Sequence, residues 1–173
     1  MLKTDAKFIA GWLVLAVCQI IICDCMFLGP LVTVTLLPVL VTFIPLRTGT
    51  SVSMLIAFAV GFAVDWLSDG VLGLNMASLV PVAFLRKPLV RLFIGEDTVT
   101  RADALNVGKS GWPRMLAMTL SATALFLAVY VIIDGAGERT LGFNLLRLVC
   151  SLAASTVPAV LVIYAFAAKN TRS

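Results

Sequence analysis

Residues 61–75 read GFAVDWLSDGVLGLN, with two aspartates, Asp65 and Asp69, set between two long apolar runs. Burying a carboxylate without partners is costly, so the surroundings of this pair decide what the chain is. Composition sets the solvent. The 173-residue chain is 61% hydrophobic and 13% charged, with a mean hydropathy of +1.07, against roughly 45–50% apolar and about 25% charged in a soluble domain. Too little polar surface remains to cover a globule in water. The chain reads as an all-α integral membrane protein, with residues 1–173 forming a single transmembrane domain.

Outward from the aspartates, charged residues cut the sequence into apolar stretches that predict six membrane spans, at about 8–24, 30–46, 50–66, 70–86, 114–133 and 143–167. A cytoplasmic loop at 86–113 joins the fourth to the fifth. Several stretches fall short of the roughly 20 residues that about 30 Å of hydrocarbon prefers; bilayer thinning or outward-reaching flanking residues accommodate this, and a re-entrant pair is the alternative. The basic residues test the count independently. With six spans and a cytoplasmic N-terminus, eleven of the thirteen basic residues are cytoplasmic and only Arg139 and Arg147 lie outside, as the positive-inside bias requires. Both termini are then cytoplasmic. The net charge of +4 is a topological signal spread over several segments, and no nucleic-acid surface is expected from it. The N-terminal apolar stretch is long and lacks an A-x-A cleavage pattern, so it reads as an uncleaved helix.

On this topology Asp65 and Asp69 stand at the outer end of the third span and in the turn to the fourth. If that helix persists, Gly61, Asp65, Asp69 and Gly73 share one face, since residues four apart are helix neighbours. The glycines admit another backbone, as small-xxx-small faces do in membranes. An ionisable residue at such a place suggests a specific partner; a simple helix cap at the interface is the alternative, most plainly for Asp69 beside Gly70.

Chemistry is restricted by inventory. There is no histidine, which removes Ser-His and Cys-His nucleophiles and most zinc sites. Cys18 and Cys150 fall within spans, where cysteine acts as a small apolar residue. Cys23 and Cys25 flank Asp24 and are read as free thiols, because a bridge across one residue is strained. G-x-x-x-D-x-x-x-D is also the second half of the signature of CDP-alcohol phosphotransferases. The first half, D-G-x-x-A-R, is missing at residues 47–52, where Arg47, Thr48, Ser51 and Val52 stand. Two carboxylates alone do not hold the metal pair that such chemistry needs. No catalytic residue, metal site or cofactor is expected.

Pro30, Pro38 and Pro45 punctuate the second span, with Thr33, Thr35 and Thr42 between them. Pro38 is expected mid-helix, where the missing N–H kinks the helix, and Pro81 is expected to kink the fourth span. Since these helices carry no charge, a kinked bundle is preferred over a solute groove. At the start of the long loop, RKPLVRLFIGED (86–97) reads as a juxtamembrane turn. Leu89, Leu92 and Phe93 meet lipid there, and Arg86, Lys87 and Arg91 face anionic headgroups.

The run MLIAFAVGFAVDWLSDGVLGLNMASLVPVAFLRKPLVRLF (54–93) resembles the rod shape-determining protein MreD family. The resemblance rests on G-x-x-x-D at Gly61 and Asp65, on L-G-x-N at Gly73 and Asn75, and on Leu85 and Arg86 after them. The proline-rich PLVTVTLLPVLVTFIPL (30–46) is also MreD-like. Likeness is strong over 30–95 and rests on hydropathy beyond. Histidines that some relatives carry near the end of the fifth span are replaced here by VYVIIDG. The resemblance implies a non-enzymatic component of the bacterial cell-elongation (peptidoglycan synthesis) machinery in the inner membrane. Its expected partners are MreC, RodA with its transpeptidase and, indirectly, the MreB filament. It also implies a fold like that of the substrate-binding subunits of energy-coupling-factor transporters. Candidate partner-binding residues are Gly61, Asp65, Asp69, Gly73 and Asn75. The competing expectation is a solute-binding subunit for a vitamin-like molecule, with Asp65, Asp69, Asn75, Asp134, Glu138, Asn144 and Arg147 as its polar groups.

Overall fold

The computed structural model describes residues 17–19, 21, 32–67, 71–96, 111–135 and 140–170, with the backbone alone at 141 and 165–170. Its regular elements are helices: α1 Leu37–Thr42, α2 Thr50–Leu67, α3 Leu74–Phe93, α4 Trp112–Asp134 and α5 Leu141–Asn170. Among the described residues, three helical stretches are long and apolar enough to cross a membrane: Thr50–Leu67, Trp112–Asp134 and Gly142–Tyr164. At 1.5 Å per residue even the shortest, α2, measures about 27 Å, close to the hydrocarbon thickness. Hydroxyls inside these helices are satisfied locally. Ser53 Oγ donates to the Gly49 carbonyl, Thr119 Oγ1 to Met115 and Thr123 Oγ1 to Thr119, so they cost little in an apolar surround.

Consecutive helices α2, α3, α4 and α5 pack as neighbours, and α1 lies among α2, α3 and α4. Two apolar clusters fill the space between them. One joins Leu37, Leu40, Val41 and Ile44 to Ala57, Val64, Leu79, Val82, Ala122 and Phe126. The other joins Leu36, Val39, Phe43 and Leu46 to Val90, Met115, Met118, Ala159 and Ile163. Membership of that second cluster brings the C-terminal ends of α3 and α5 and the N-terminal end of α4 to the same end of the bundle.

The second predicted span departs from expectation. Residues 32–36 form no regular element and only 37–42 are helical, so the stretch at 30–46 is not one kinked helix. Pro38 stands in the first turn of α1 rather than mid-helix, where its absent N–H has no helical partner to lose. Thr33 meets Ser151 and Arg147 on α5, while Ile44 and Pro45 meet Arg86 on α3. This segment therefore runs most of the way between the two ends of the bundle. Val32, Thr33 and Val34 are half-buried, and every residue from Thr35 to Ile44 is buried. Irregular backbone at membrane depth is tolerated only under that condition.

α3 also differs. It begins at Leu74 and continues through Pro81 and Pro88 to Phe93, so Arg86, Lys87 and Arg91 are helical residues and not part of a loop opening at 86. The other helices lie within a few residues of the spans expected at 50–66, 114–133 and 143–167. Most of the first expected span, 8–24, lies outside the described residues.

Candidate functional site

The centre of interest is the turn between α2 and α3. Asp65, near the end of α2, is 2% exposed. Its Oδ2 accepts the backbone N–H of Gly73 at 3.0 Å and of Met76 at 3.2 Å. Its Oδ1 accepts the backbone N–H of Asn75 at 3.2 Å and the Asn75 side-chain amide at 2.8 Å. A helix leaves its first N–H groups without intrahelical partners, and α3 has no side-chain cap of its own at Gly73. Asp65 supplies that cap from the preceding helix, at the positive end of the α3 dipole.

Two glycines make the geometry possible for different reasons. A Cβ on Gly61 would lie 2.6 Å from Met76 Cα and 2.8 Å from Met76 N, so only glycine lets α2 and α3 backbones approach this closely. Gly73 sits at φ +97 with space around it, and the left-handed conformation, not close approach, is its requirement. The expectation that Gly61, Asp65, Asp69 and Gly73 form one helical face is therefore corrected. Residues 71–73 are not helical and Gly73 is left-handed, so Gly73 meets Asp65 from the turn that leads into α3. Asp69 lies outside the described residues.

Arg86 is the second buried polar residue, at 1% exposed. It does not face headgroups as its place in RKPLVR suggested. Its guanidinium donates to the carbonyl of Ile44, to that of Pro45 at 3.4 Å and to Ser53 Oγ at 3.2 Å. These acceptors lie just beyond the C-terminal end of α1 and at the start of α2, so Arg86 ties α3 to the foot of the broken segment. Lys87 is half-buried and Arg91 exposed. With Arg47 and Arg114, both exposed, they mark the end of the bundle where Leu46, Val90, Phe93 and Met115 cluster.

The opposite end holds a third set. Arg147, 7% exposed, forms an ion pair with Asp134, donates to Thr33 Oγ1 at 3.4 Å and lies over the Tyr130 ring at 5.8 Å from its centroid. Asn144 packs directly against Gly135. One and two turns further along the same face of α5, Ser151 Oγ accepts the Thr33 N–H at 2.9 Å and Ser155 Oγ the Thr35 N–H at 3.2 Å. Gln19 completes the set, accepting the Leu36 N–H and donating to the Val34 carbonyl at 3.4 Å. The N–H groups of Thr33, Thr35 and Leu36 are thus met by side chains from other elements.

The structure brings Gly61, Asp65, Gly73 and Asn75 together, and Asp134, Asn144 and Arg147 together at α4–α5. Glu138 lies outside the described residues, as do Cys23 and Cys25. Sequence reading missed Gln19, Ser151 and Ser155 as ligands of the second span. Their signal was present, as three polar residues in otherwise apolar spans. The outer surface of α2 beside the Asp65 turn is apolar. Phe62 and Trp66 rings lie 6.0 Å apart, and Phe62, Ala63, Trp66 and Leu67 line a shallow groove of about 460 Å³. Among the described residues, no group of three or more acids or cysteines is placed to hold a metal ion. The chain matches no known protein family, no characterised protein and no solved structure.

Proposed function

We propose that this chain is a non-enzymatic scaffold of the bacterial cell-elongation machinery, an MreD-like protein that holds MreC and the RodA–transpeptidase pair together in the inner membrane. One observation carries the reading: Asp65, the acidic residue of the G-x-x-x-D motif, commits both oxygens to four donors of the α2–α3 turn. That arrangement gives the motif a folding role, with Gly61, Gly73 and Asn75 each fitted to it. The residues that carry the resemblance are therefore those that build the turn.

The interior supports the same reading. The middle of the bundle is filled by the chain's own segment 35–44, whose side chains interlock with α2, α3 and α4. What the turn then presents outward is the exposed face of α2, with Leu55, Phe58, Phe62 and Trp66. A partner's membrane helix docks on that face. The end bearing Arg47, Lys87, Arg91 and Arg114 faces the cytoplasm, which follows the positive-inside bias and keeps six spans with both termini inside.

A second reading, a solute-binding subunit of a vitamin-type transporter, is favoured by one finding: Asp134, Asn144 and Arg147 converge at one end of the bundle. Affinity purification in mild detergent separates the two. Recovery of MreC and the RodA pair, reduced by Trp66→Ala, supports the scaffold. Recovery of two ATPases with a coupling subunit, or saturable binding of a vitamin by the purified protein, overturns it.

A further inference from the structure

We infer that segment 32–46 is a mechanical link between the two ends of the bundle, clamped at one end by Arg147 and at the other by Arg86. The argument starts from how the segment is held. A transmembrane helix owns its hydrogen bonds, whereas residues 32–36 borrow theirs: Thr33 from Ser151, Thr35 from Ser155 and Leu36 from Gln19. A backbone held by side chains of separate helices moves when those helices move.

The two clamps are alike in construction. Arg147 is fixed by the Asp134 carboxylate and reaches the segment at Thr33 Oγ1. Arg86 is fixed on α3 and reaches it at the carbonyls of Ile44 and Pro45. Both are almost fully buried, where a cation stripped of its partners is costly, so each clamp is either made or broken with little in between. Between them lie the six residues of α1, buried on all sides. A close-packed rod of that kind passes on a displacement instead of absorbing it. Loss of either clamp therefore loosens the far end as well as its own, since coupling between two sites is reciprocal. This link holds whichever partner the outer face of α2 binds.

Amide hydrogen exchange read by mass spectrometry, on full-length protein in lipid nanodiscs, tests it. The outer reporters are the amides of Thr33, Thr35 and Leu36; the inner ones are those of Phe43, Ile44 and Thr48. Asp134→Asn, which weakens the outer clamp, is expected to speed exchange roughly tenfold at the outer amides and also at the inner ones. Ser53→Ala, which removes one of Arg86's acceptors, is expected to do the same in reverse. Exchange that rises only at the perturbed end overturns the link. Should Asp134→Asn fail to purify as a monodisperse species, Ser151→Ala with Ser155→Ala loosens the outer half and leaves the ion pair in place. The same two outcomes then decide.

Discussion

Asp65→Asn keeps the shape of the side chain and removes one acceptor together with the charge at the α3 N-terminus, which makes it the sharpest test of the turn. The two side chains have the same shape, but asparagine offers a single acceptor oxygen and carries an NH₂ where the second oxygen stood. In the native turn Oδ1 serves both Asn75 donors and Oδ2 serves the N–H groups of Gly73 and Met76. If the new NH₂ replaces Oδ2, the Gly73 and Met76 N–H groups lose their bonds; if it replaces Oδ1, the Asn75 amide can turn over to accept from it and only the Asn75 N–H is stranded. A hydrogen bond to a carboxylate is worth about 1.5–3 kcal/mol, so the variant, with at least one such bond lost, loses about 1.5 kcal/mol or more. The site is 2% exposed, which denies water as a replacement. The assay is unfolding in mixed micelles by a denaturing detergent, followed by far-UV circular dichroism, with the midpoint shift converted to free energy. A loss below about 1 kcal/mol, the worth of a single neutral bond, would refute the reasoning, because the carboxylate would then not be what holds the turn.

Further outcomes follow from neighbouring features. Gly61→Ala places a methyl 2.6 Å from Met76 Cα, so α2 and α3 must part; the same micelle assay should show a loss of about 1–3 kcal/mol. Gly73→Ala, strained only by its positive φ, should cost about 1 kcal/mol there. Arg86→Gln takes the donors from the Ile44 and Pro45 carbonyls and should lower stability by about 1–3 kcal/mol, whereas the same change at exposed Arg91 should leave the midpoint within about 0.5 kcal/mol. Replacing Lys87, Arg91 and Arg114 with glutamine should erase any preference for phosphatidylglycerol over phosphatidylcholine, measured as retained lipid by native mass spectrometry, while leaving the circular dichroism spectrum unchanged.

Local pattern was enough for three of the helices. The uninterrupted apolar runs around Ala57, Ala122 and Ala159 place α2, α4 and α5 to within a few residues, because length and hydropathy alone decide whether a helix suits a bilayer. The Asp65 turn was half legible. Gly61, Asp65, Gly73 and Asn75 stood out as residues costly to keep without a purpose, but the continuous helical face drawn through them was an error of backbone path. Segment 32–36 was not legible from its own residues. VTVTL suits a helix or a strand equally in an apolar setting, and the choice is made by Ser151, Ser155 and Gln19, distant in sequence. Arg86 misled for a similar reason: a basic residue beside Lys87 reads as surface until the carbonyls of Ile44 and Pro45 are seen beneath it.

The borrowed hydrogen bonds of residues 32–36 also bear on how the chain is made. Thr33 and Thr35 find their acceptors 118 and 120 residues further on, so a ribosome exposes this stretch long before α5 exists. Until then its bare amides are unwelcome in hydrocarbon. Until Ser151 and Ser155 emerge, the nascent segment must meet those amides in another way, as a transient helix or at the membrane surface. Chains cut short before residue 151 should be cleared by membrane proteases even though most of their helices are complete.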